Sequence, residues 1–332
     1  MIGYRDQVTA AVGAVTIRSQ TGYAWLGHPS RPVAASLLAQ IDQLEGRRHL
    51  AARLREELYS SFYCTGRPVP TRLGNPQPVA ADPWLTTALS DANIGRGTWQ
   101  PGWIVHSCHG DDAVVSTPRL RVRVPAADCR AEGDGPIRSG VAVSVRLPKE
   151  LPARSPGFFT VLGEAVFEST PPTRILRVYW NIGASGAPAL VRALSSRLNA
   201  EEVPFRLKVA DHPARFDRCD AAVLYLPSDA FSGVRGMLAQ VAATLTPCLR
   251  PEIPAFTLAF AAGVGLAESP NTGESFGEHR CGILADGIVD ADAQGVAPGA
   301  ARVEAVIARL AAHGVTIGTP YLEPSLDGQH VL

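Results

Sequence analysis

Apolar positions set the organisation of the chain. Leu37, Leu38, Ile41 and Leu44 recur at helical spacing, and Leu50, Leu54 and Leu58 continue a second stripe, so residues 1 to about 70 read as helical. Residues 65–82 are rich in Pro and Gly and read as a loop, with a short helix expected around Trp84–Leu89. Between Trp99 and Leu147 the period changes to two: LRVRVP and VAVSVRLP alternate as strands do, and AADCRAEGDGPIRSG between them reads as a polar turn or loop. LPARSPGFFTVLGEA reads as irregular and then briefly helical, and Pro171 and Pro172 mark a plausible boundary.

The C-terminal half alternates strand and helix more clearly. ILRVYWNI (175–182) is a strand. GASGAP follows, with Ser185 a candidate N-cap and Pro188 in the first helical turn, and Leu190, Val191, Leu194 and Leu198 form an apolar stripe. VPFRLKV (203–209) and AAVLYLP (221–227) read as strands joined by the polar segment ADHPARFDRCD, and a helix follows from about Asp229 to Leu245. GVGLAESPNTGESFGEHRCGILADGI reads as a long loop leading into a strand near Arg280–Ala285, and a final helix spans about Ala300–His313. No internal repeat is visible. The expectation is an α+β protein in two parts: a helical plus β N-terminal domain over 1–170, and a mixed α/β domain over 171–332.

Composition narrows the function. The 332 residues carry 31 basic and 31 acidic side chains, and with no net charge there is no global attraction to nucleic acid or to a membrane surface. No apolar run approaches the ~20 residues of a membrane span. The first 20 residues lack the apolar core and small-residue cleavage site of a secretory signal, so a cytoplasmic protein is expected. Cys64, Cys108, Cys129, Cys219, Cys248 and Cys281 are widely spaced and form no C-x-x-C pair, so they read as core residues. Only Lys149 and Lys208 among the basic residues are lysines; the rest are arginines. Arginine stays protonated, whereas lysine can lose its proton once burial or neighbouring cations lower its pKa.

In FRLKV, alternation puts Phe205, Leu207 and Val209 on one face and Arg206 and Lys208 on the other. One reading is a half-exposed strand with solvated cations. The other is a lysine fixed on a rigid strand among arginines, poised as a general base. Arg174 and Arg177 on the preceding strand, His212, Arg215 and Arg218 on the following loop, and His279 and Arg280 further on could converge on a phosphate dianion, which suits the guanidinium fork. Other motifs fail on context. GESFG (273–277) resembles a nucleophile elbow around Ser275, but a loop precedes it and strand-like sequence is expected to follow. GASGAP lacks the Gly-Lys-Ser/Thr ending of a phosphate loop, and GVG (263–265) is an incomplete dinucleotide fingerprint. Cys108 and His109 have no second ligand pair for a metal.

The segments RVYWNI, VPFRLKV, DAAVLYLP and GVGLAESPNTGESFGEHRC resemble the HopA-type effector domain, and LYSSFYCTG, LSDANIGRGTWQPGWIV and VRLPKELPARSPGFF extend the likeness over nearly the whole chain. Stand-alone members of this length resemble the lyase component that acts beside a separate kinase-like protein in class V lanthipeptide and thioamitide biosynthesis. The element order also resembles the lyase domains of class III and IV lanthipeptide synthetases and the OspF-type phosphothreonine lyases. The resemblance implies phosphate elimination from a phosphorylated precursor peptide, with no cofactor and no metal. It implies Lys208 as the general base. It implies phosphate contacts from Arg177, Arg215 or Arg218, Tyr225 and Arg280, with Asn181, Arg206, Asp211, His212 and Ser275 as candidate substrate contacts. Those relatives carry Lys-x-His on the first strand, the histidine being the general acid. Here the matching positions are Arg177 and Tyr179, so Tyr179, His279 or His212 is left to supply the acid. A non-catalytic scaffold that presents peptide to a kinase-like partner is the competing expectation. The N-terminal domain is expected to dock a leader peptide or that partner, with the strand around Arg119–Pro125 offering an edge to an extended peptide.

Overall fold

A computed structural model describes residues 3–34, 36, 40, 42–73, 79–118, 120–167, 174–324 and 332. The helices among them are α1 (Tyr4–Gly13), α2 (Gln43–Ser61), α3 (Pro83–Ala92), α4 (Ala187–Ala200), α5 (Phe231–Leu245), α6 (Phe276–Ala293) and α7 (Ala300–Ala312). The strands are β1 (Val15–Ile17), β2 (Tyr23–Trp25), β3 (His28–Pro29), β4 (Thr98–His109), β5 (Asp112–Ser116), β6 (Arg121–Pro125), β7 (Cys129–Ala131), β8 (Ala142–Leu147), β9 (Glu150–Ser155), β10 (Phe158–Leu162), β11 (Ile175–Trp180), β12 (Arg206–Ala210), β13 (Ala222–Pro227), β14 (Leu258–Ala261) and β15 (Val264–Glu268). The fold is α+β. No helix among the described residues is long and apolar enough to cross a membrane.

The central sheet has seven strands in the order β14-β15-β11-β13-β12-β10-β9, and every neighbouring pair is antiparallel. Its middle strands are covered on both faces, which is why ILRVYW and AVLYLP read as nearly continuous apolar runs. On one face Leu176, Val178, Trp180, Leu207, Val209, Leu224 and Leu226 pack with α3, α4 and α5. On the other, Tyr179, Val223, Tyr225 and Ala267 pack with residues of α1, α2, α6 and α7. The second core draws on β11, β13 and β15 but on no side chain of β12 or β10. The helical layer therefore stops partway across the sheet and leaves a step over β12 and β10.

Two smaller sheets flank this body. β1-β2-β3 lies within the stretch that reads as helical, and β6-β5-β4-β8-β7 has its own small core around Trp103, Val105, Val115, Val143 and Val145. The expected strands at LRVRVP and VAVSVRLP are β6 and β8. The apolar positions Leu37, Leu38 and Ile41, the Pro171–Pro172 boundary and Arg119 lie outside the described residues. Around that boundary the large sheet runs across: β10, N-terminal to 171, pairs with β12 on one side and with β9 on the other.

Four local expectations are corrected. LPARSPGFFTVL is a hairpin, β9–β10, because Pro156 and Gly157, with φ of +83° at the glycine, turn the chain between two extended runs. FTLAFAAGVGLAE is a second hairpin, β14–β15; a Cβ on Gly263 (φ +72°) would lie 2.2 Å from the Arg250 carbonyl oxygen. The strand expected near Arg280–Ala285 is part of helix α6. Ser275 accepts from the Glu278 amide and Glu278 caps the Ser275 amide in return, which starts a helix with Phe276, Cys281, Leu284 and Ile288 buried. Ser185 does not cap α4; it sits in a 3-10 turn (Ala184–Gly186), and Gly186 is the N-cap.

Candidate functional site

Sheet register builds the site. Thr160, Lys208, Val223 and Tyr179 lie side by side on adjacent strands, and the next row holds Arg206, Tyr225 and Arg177. Directly opposed residues of antiparallel strands project to the same face, so these side chains share one face of the sheet: those of β11 and β13 lie buried beneath the helical layer, and Lys208 and Arg206 of β12 lie half-buried at its edge. Lys208 and Tyr179 are two strands apart, roughly 10 Å between backbones.

Lys208 is half-buried. Its Nζ lies 4.6 Å from the centroid of the Phe158 ring, and among the described residues no carboxylate is within ion-pair distance of it. Burial lowers its pKa, and the Arg177, Arg206 and Arg218 guanidiniums push the same way, against Asp220. Both causes favour the neutral amine, the form that a general base requires.

The surrounding cations are held in different ways. Arg177, itself buried, donates to Ser269 Oγ (2.8 Å) and to the Glu274 carbonyl (3.2 Å), and stacks at 5.3 Å on Tyr225. Arg206 lies over the other side of the cluster, 4.8 Å from the Tyr225 ring and 5.2 Å from Phe167. Arg218 is clamped by Asp220 through both Nε and Nη2, donates to the Tyr59 hydroxyl (2.9 Å) and reaches Cys64 Sγ (3.2 Å). Its charge is thus largely answered within the fold. Tyr179 is buried, with its hydroxyl among buried groups that make no well-formed hydrogen bond among the described residues. Burial pushes the phenol up to about 12, although the charge of Arg177 works against that.

Other sequence candidates fall elsewhere. Arg215 pairs with Asp211 and donates to the Val79 carbonyl (2.6 Å), fastening the β12–β13 connection to the segment before α3. His212 accepts the Ala214 amide at Nδ1 (3.1 Å) and starts a 3-10 turn. Asn181 lies just past β11, donating to the Glu252 carbonyl (2.9 Å) and accepting from Arg250 (3.0 Å). Ser275 is the cap of α6; a helix does follow it, but six residues separate it from β15, not the sharp strand-to-helix turn of a nucleophile elbow. Arg280 is fully buried and donates to the carbonyls of Pro320 (2.9 Å) and Leu322 (2.8 Å) and to Glu323 (2.7 Å). Its Nη1 also lies 2.6 Å from His279 Nδ1. Burial, then Arg280, lowers the His279 pKa to about 4, so its ring is neutral at neutral pH.

Sequence reasoning passed over Tyr59, Tyr63, Phe158, Thr160 and Asp220. Tyr59 and Tyr63 stack at 5.5 Å at the C-terminal end of α2 and wall the cluster; their i, i+4 spacing in LYSSFY was the available signal. Phe158 and Thr160 alternate onto the lysine face of β10, which reading FFTVL as a strand would have shown. The Thr160 hydroxyl is buried beside Lys208 without a hydrogen-bond partner among the described residues. Asp220 had no signal beyond its place two residues after Arg218.

Residues 150–322 match the HopA1 effector protein family. Among solved structures, the chain is similar to the effector protein from Pseudomonas syringae pv. tomato strain DC3000, with TM-score 0.41, 18% identity, and coverage of 52% of this chain and 67% of that one. It is also similar to the effector protein from Pseudomonas syringae pv. syringae strain 61, with TM-score 0.35, 22% identity, and coverage of 51% of this chain and 63% of that one. The chain thus spans about two thirds of the length of these effectors. No curated protein matches it.

Proposed function

The chain belongs to the HopA1 effector protein family, and from that membership and the lysine cluster we propose that it is a phosphoserine/phosphothreonine lyase. Its substrate is a phosphorylated ribosomal precursor peptide. The product residue is dehydroalanine or dehydrobutyrine, as lanthipeptide or thioamitide biosynthesis requires. The observation that carries the reading is the Lys208 amine: half-buried, facing no carboxylate at ion-pair distance among the described residues, its pKa lowered by burial and then by arginines.

In the proposed reaction, neutral Lys208 removes the α-proton of the phosphorylated residue. The electron pair of that C–H bond becomes the new C=C bond, and the Cβ–O bond breaks with its pair leaving on phosphate. Arg177 and Arg206, flanking Tyr225 across the sheet, meet the charge that builds on the leaving oxygens. Tyr179 supplies the proton or hydrogen bond to the leaving group, because its hydroxyl shares the face and has a donor to give. His279 suits the acid role poorly: it is neutral at neutral pH and its Nδ1 is engaged by Arg280. A separate kinase-like protein phosphorylates the peptide beforehand, and both act in the cytoplasm.

The competing reading is a scaffold that binds the phosphopeptide without reacting. One observation favours it: Arg177 and Tyr179 stand where lyases of this kind carry Lys-x-His. Incubating the protein alone with a pre-phosphorylated precursor peptide separates the two. Mass spectrometry should show loss of phosphoric acid; an unchanged mass with retained binding would replace the lyase with the scaffold.

A further inference from the structure

Beyond the end of β11 lies a cavity of about 210 Å³ that the reaction above does not use. Four arginines line it, Arg67, Arg72, Arg218 and Arg250, against two acids, Asp217 and Glu252. Asp217 is mostly solvent-exposed and engages Arg72 (2.7 Å), and Arg218 is answered by Asp220. Among the described residues Arg250 donates to two neutral acceptors, Asn181 Oδ1 at 3.0 Å and the Phe216 carbonyl, and makes no ion pair. Arg67 is exposed at the rim, and its guanidinium makes no ion pair or hydrogen bond among the described residues. The result is a concave, net-positive site with donors to spare, suited to a carboxylate or phosphate.

One side chain, Arg218, joins the cavity to the lysine cluster. Arg218 lines it and also lies 5.7 Å from the Phe158 ring that backs Lys208. Asn181 lines it too, two residues along the chain from Tyr179, or roughly 7 Å in extended backbone. An extended peptide with its reacting residue at Lys208 would carry the side chain two to four positions away into this cavity. Arg67 and Arg72 come from outside the residues that match the family.

We propose that this cavity is a second anion site, which takes a carboxylate or phosphate on the same peptide, two to four residues from the one that eliminates. The assignment rests on the lyase reading for which residue reacts, but binding tests it separately. Affinity is measured by fluorescence polarisation on the Lys208→Met protein, so that no turnover intervenes. The probes are singly phosphorylated peptides with Ala, Glu or a second phosphoserine at each of those positions. At one position Glu and phosphoserine should bind about tenfold or more tighter than Ala, the scale of a charge-assisted hydrogen bond. Arg67→Gln, an exposed substitution, and Arg250→Gln should each reduce that advantage while leaving the Ala peptide bound as before. An advantage for phosphoserine alone assigns the site to phosphate, and an equal one for Glu assigns it to any acidic side chain. Equal affinity for all three peptides at every position, or an advantage that survives both variants, overturns the proposal. A tenfold advantage in a protein that never eliminates phosphate would sink the lyase reading and leave the second site standing.

Discussion

Replacing Lys208 with methionine should abolish elimination and leave the fold intact or slightly firmer. Methionine keeps the unbranched stem that runs between Phe158 and Thr160 and removes only the amine. A positioned general base contributes about 10²–10⁴ in rate, so turnover of a pre-phosphorylated peptide should fall by about 10³, or roughly 4 kcal/mol of transition-state stabilisation. Stability responds in the opposite sense. Burial, then Arg177, Arg206 and Arg218, lowers the pKa of this amine below its ordinary value of 10.5 in the folded protein. Between the folded value and 10.5 the unfolded chain binds more protons, so parent stability rises with pH across that window. Below it the folded protein carries a cation that its neighbours repel. The methionine variant lacks both the repulsion and the slope, and the gain should stay within about 1 kcal/mol because the amine is only half-buried. Phosphate release, peptide mass and thermal unfolding measured on the same preparations decide the matter. Elimination within tenfold of the parent rate would remove Lys208 from the mechanism. A large drop in melting temperature would show that the amine is structural.

Lys208→Arg should fail equally, since arginine keeps the charge but yields no base; phosphate release checks this. Arg206→Gln should move the acid limb of the kcat/KM profile to higher pH, because removing a nearby cation lets the Lys208 pKa rise; an unmoved limb would mean that another group titrates. Tyr179→Phe should slow elimination by about 10²-fold at constant phosphopeptide affinity, while removing a buried, poorly bonded hydroxyl leaves melting unchanged or raised. Ser275→Ala should cost about 1 kcal/mol of stability through loss of the α6 cap, with no labelling of either protein by a fluorophosphonate. Arg280→Ala should destabilise the fold by about 3–5 kcal/mol, since it strands Glu323 in a buried setting; unchanged melting with weakened phosphopeptide binding would restore Arg280 to the phosphate site.

The C-terminal strands were legible because burial on both faces writes itself as long apolar runs, and the lysine face because Arg206 and Lys208 interrupt such a run at period two. Helix α6 is hard to read because its apolar residues include alanine and glycine and its buried face carries Arg280, while its clearest signal, the Ser275–Glu278 box, lies within GESFG, which also resembles an enzyme motif. The β9–β10 and β14–β15 hairpins are hidden for one reason: the glycines at their turns, Gly157 after Pro156 and Gly263, also mark irregular loops. Pairing partners such as Asp220 for Arg218 are set by tertiary approach. No spacing rule could have told that arginine apart from its neighbours.

That distinction among arginines decides what the cluster can grip. Arg215, Arg218 and Arg280 all look like phosphate ligands in one dimension, yet each is matched with a carboxylate, Asp211, Asp220 and Glu323 respectively. A phosphate arriving at any of them must displace or share an existing ion pair, which returns most of what the new contact provides. Arg177 differs: among the described residues it touches a hydroxyl, a carbonyl and the face of Tyr225, none of which carries a full negative charge. It also shares its row with Tyr225 and Arg206 and lies one row from Lys208. On the proposed lyase reading the leaving phosphate would sit at the Arg177–Tyr225–Arg206 row, and the sharpest test compares two substitutions of equal charge. Arg177→Gln should weaken phosphopeptide binding by tenfold or more with modest loss of stability, whereas Arg215→Gln should lower melting and leave affinity nearly unchanged. The reverse outcome would move the phosphate to the β12–β13 connection and leave Lys208 without a substrate to act on.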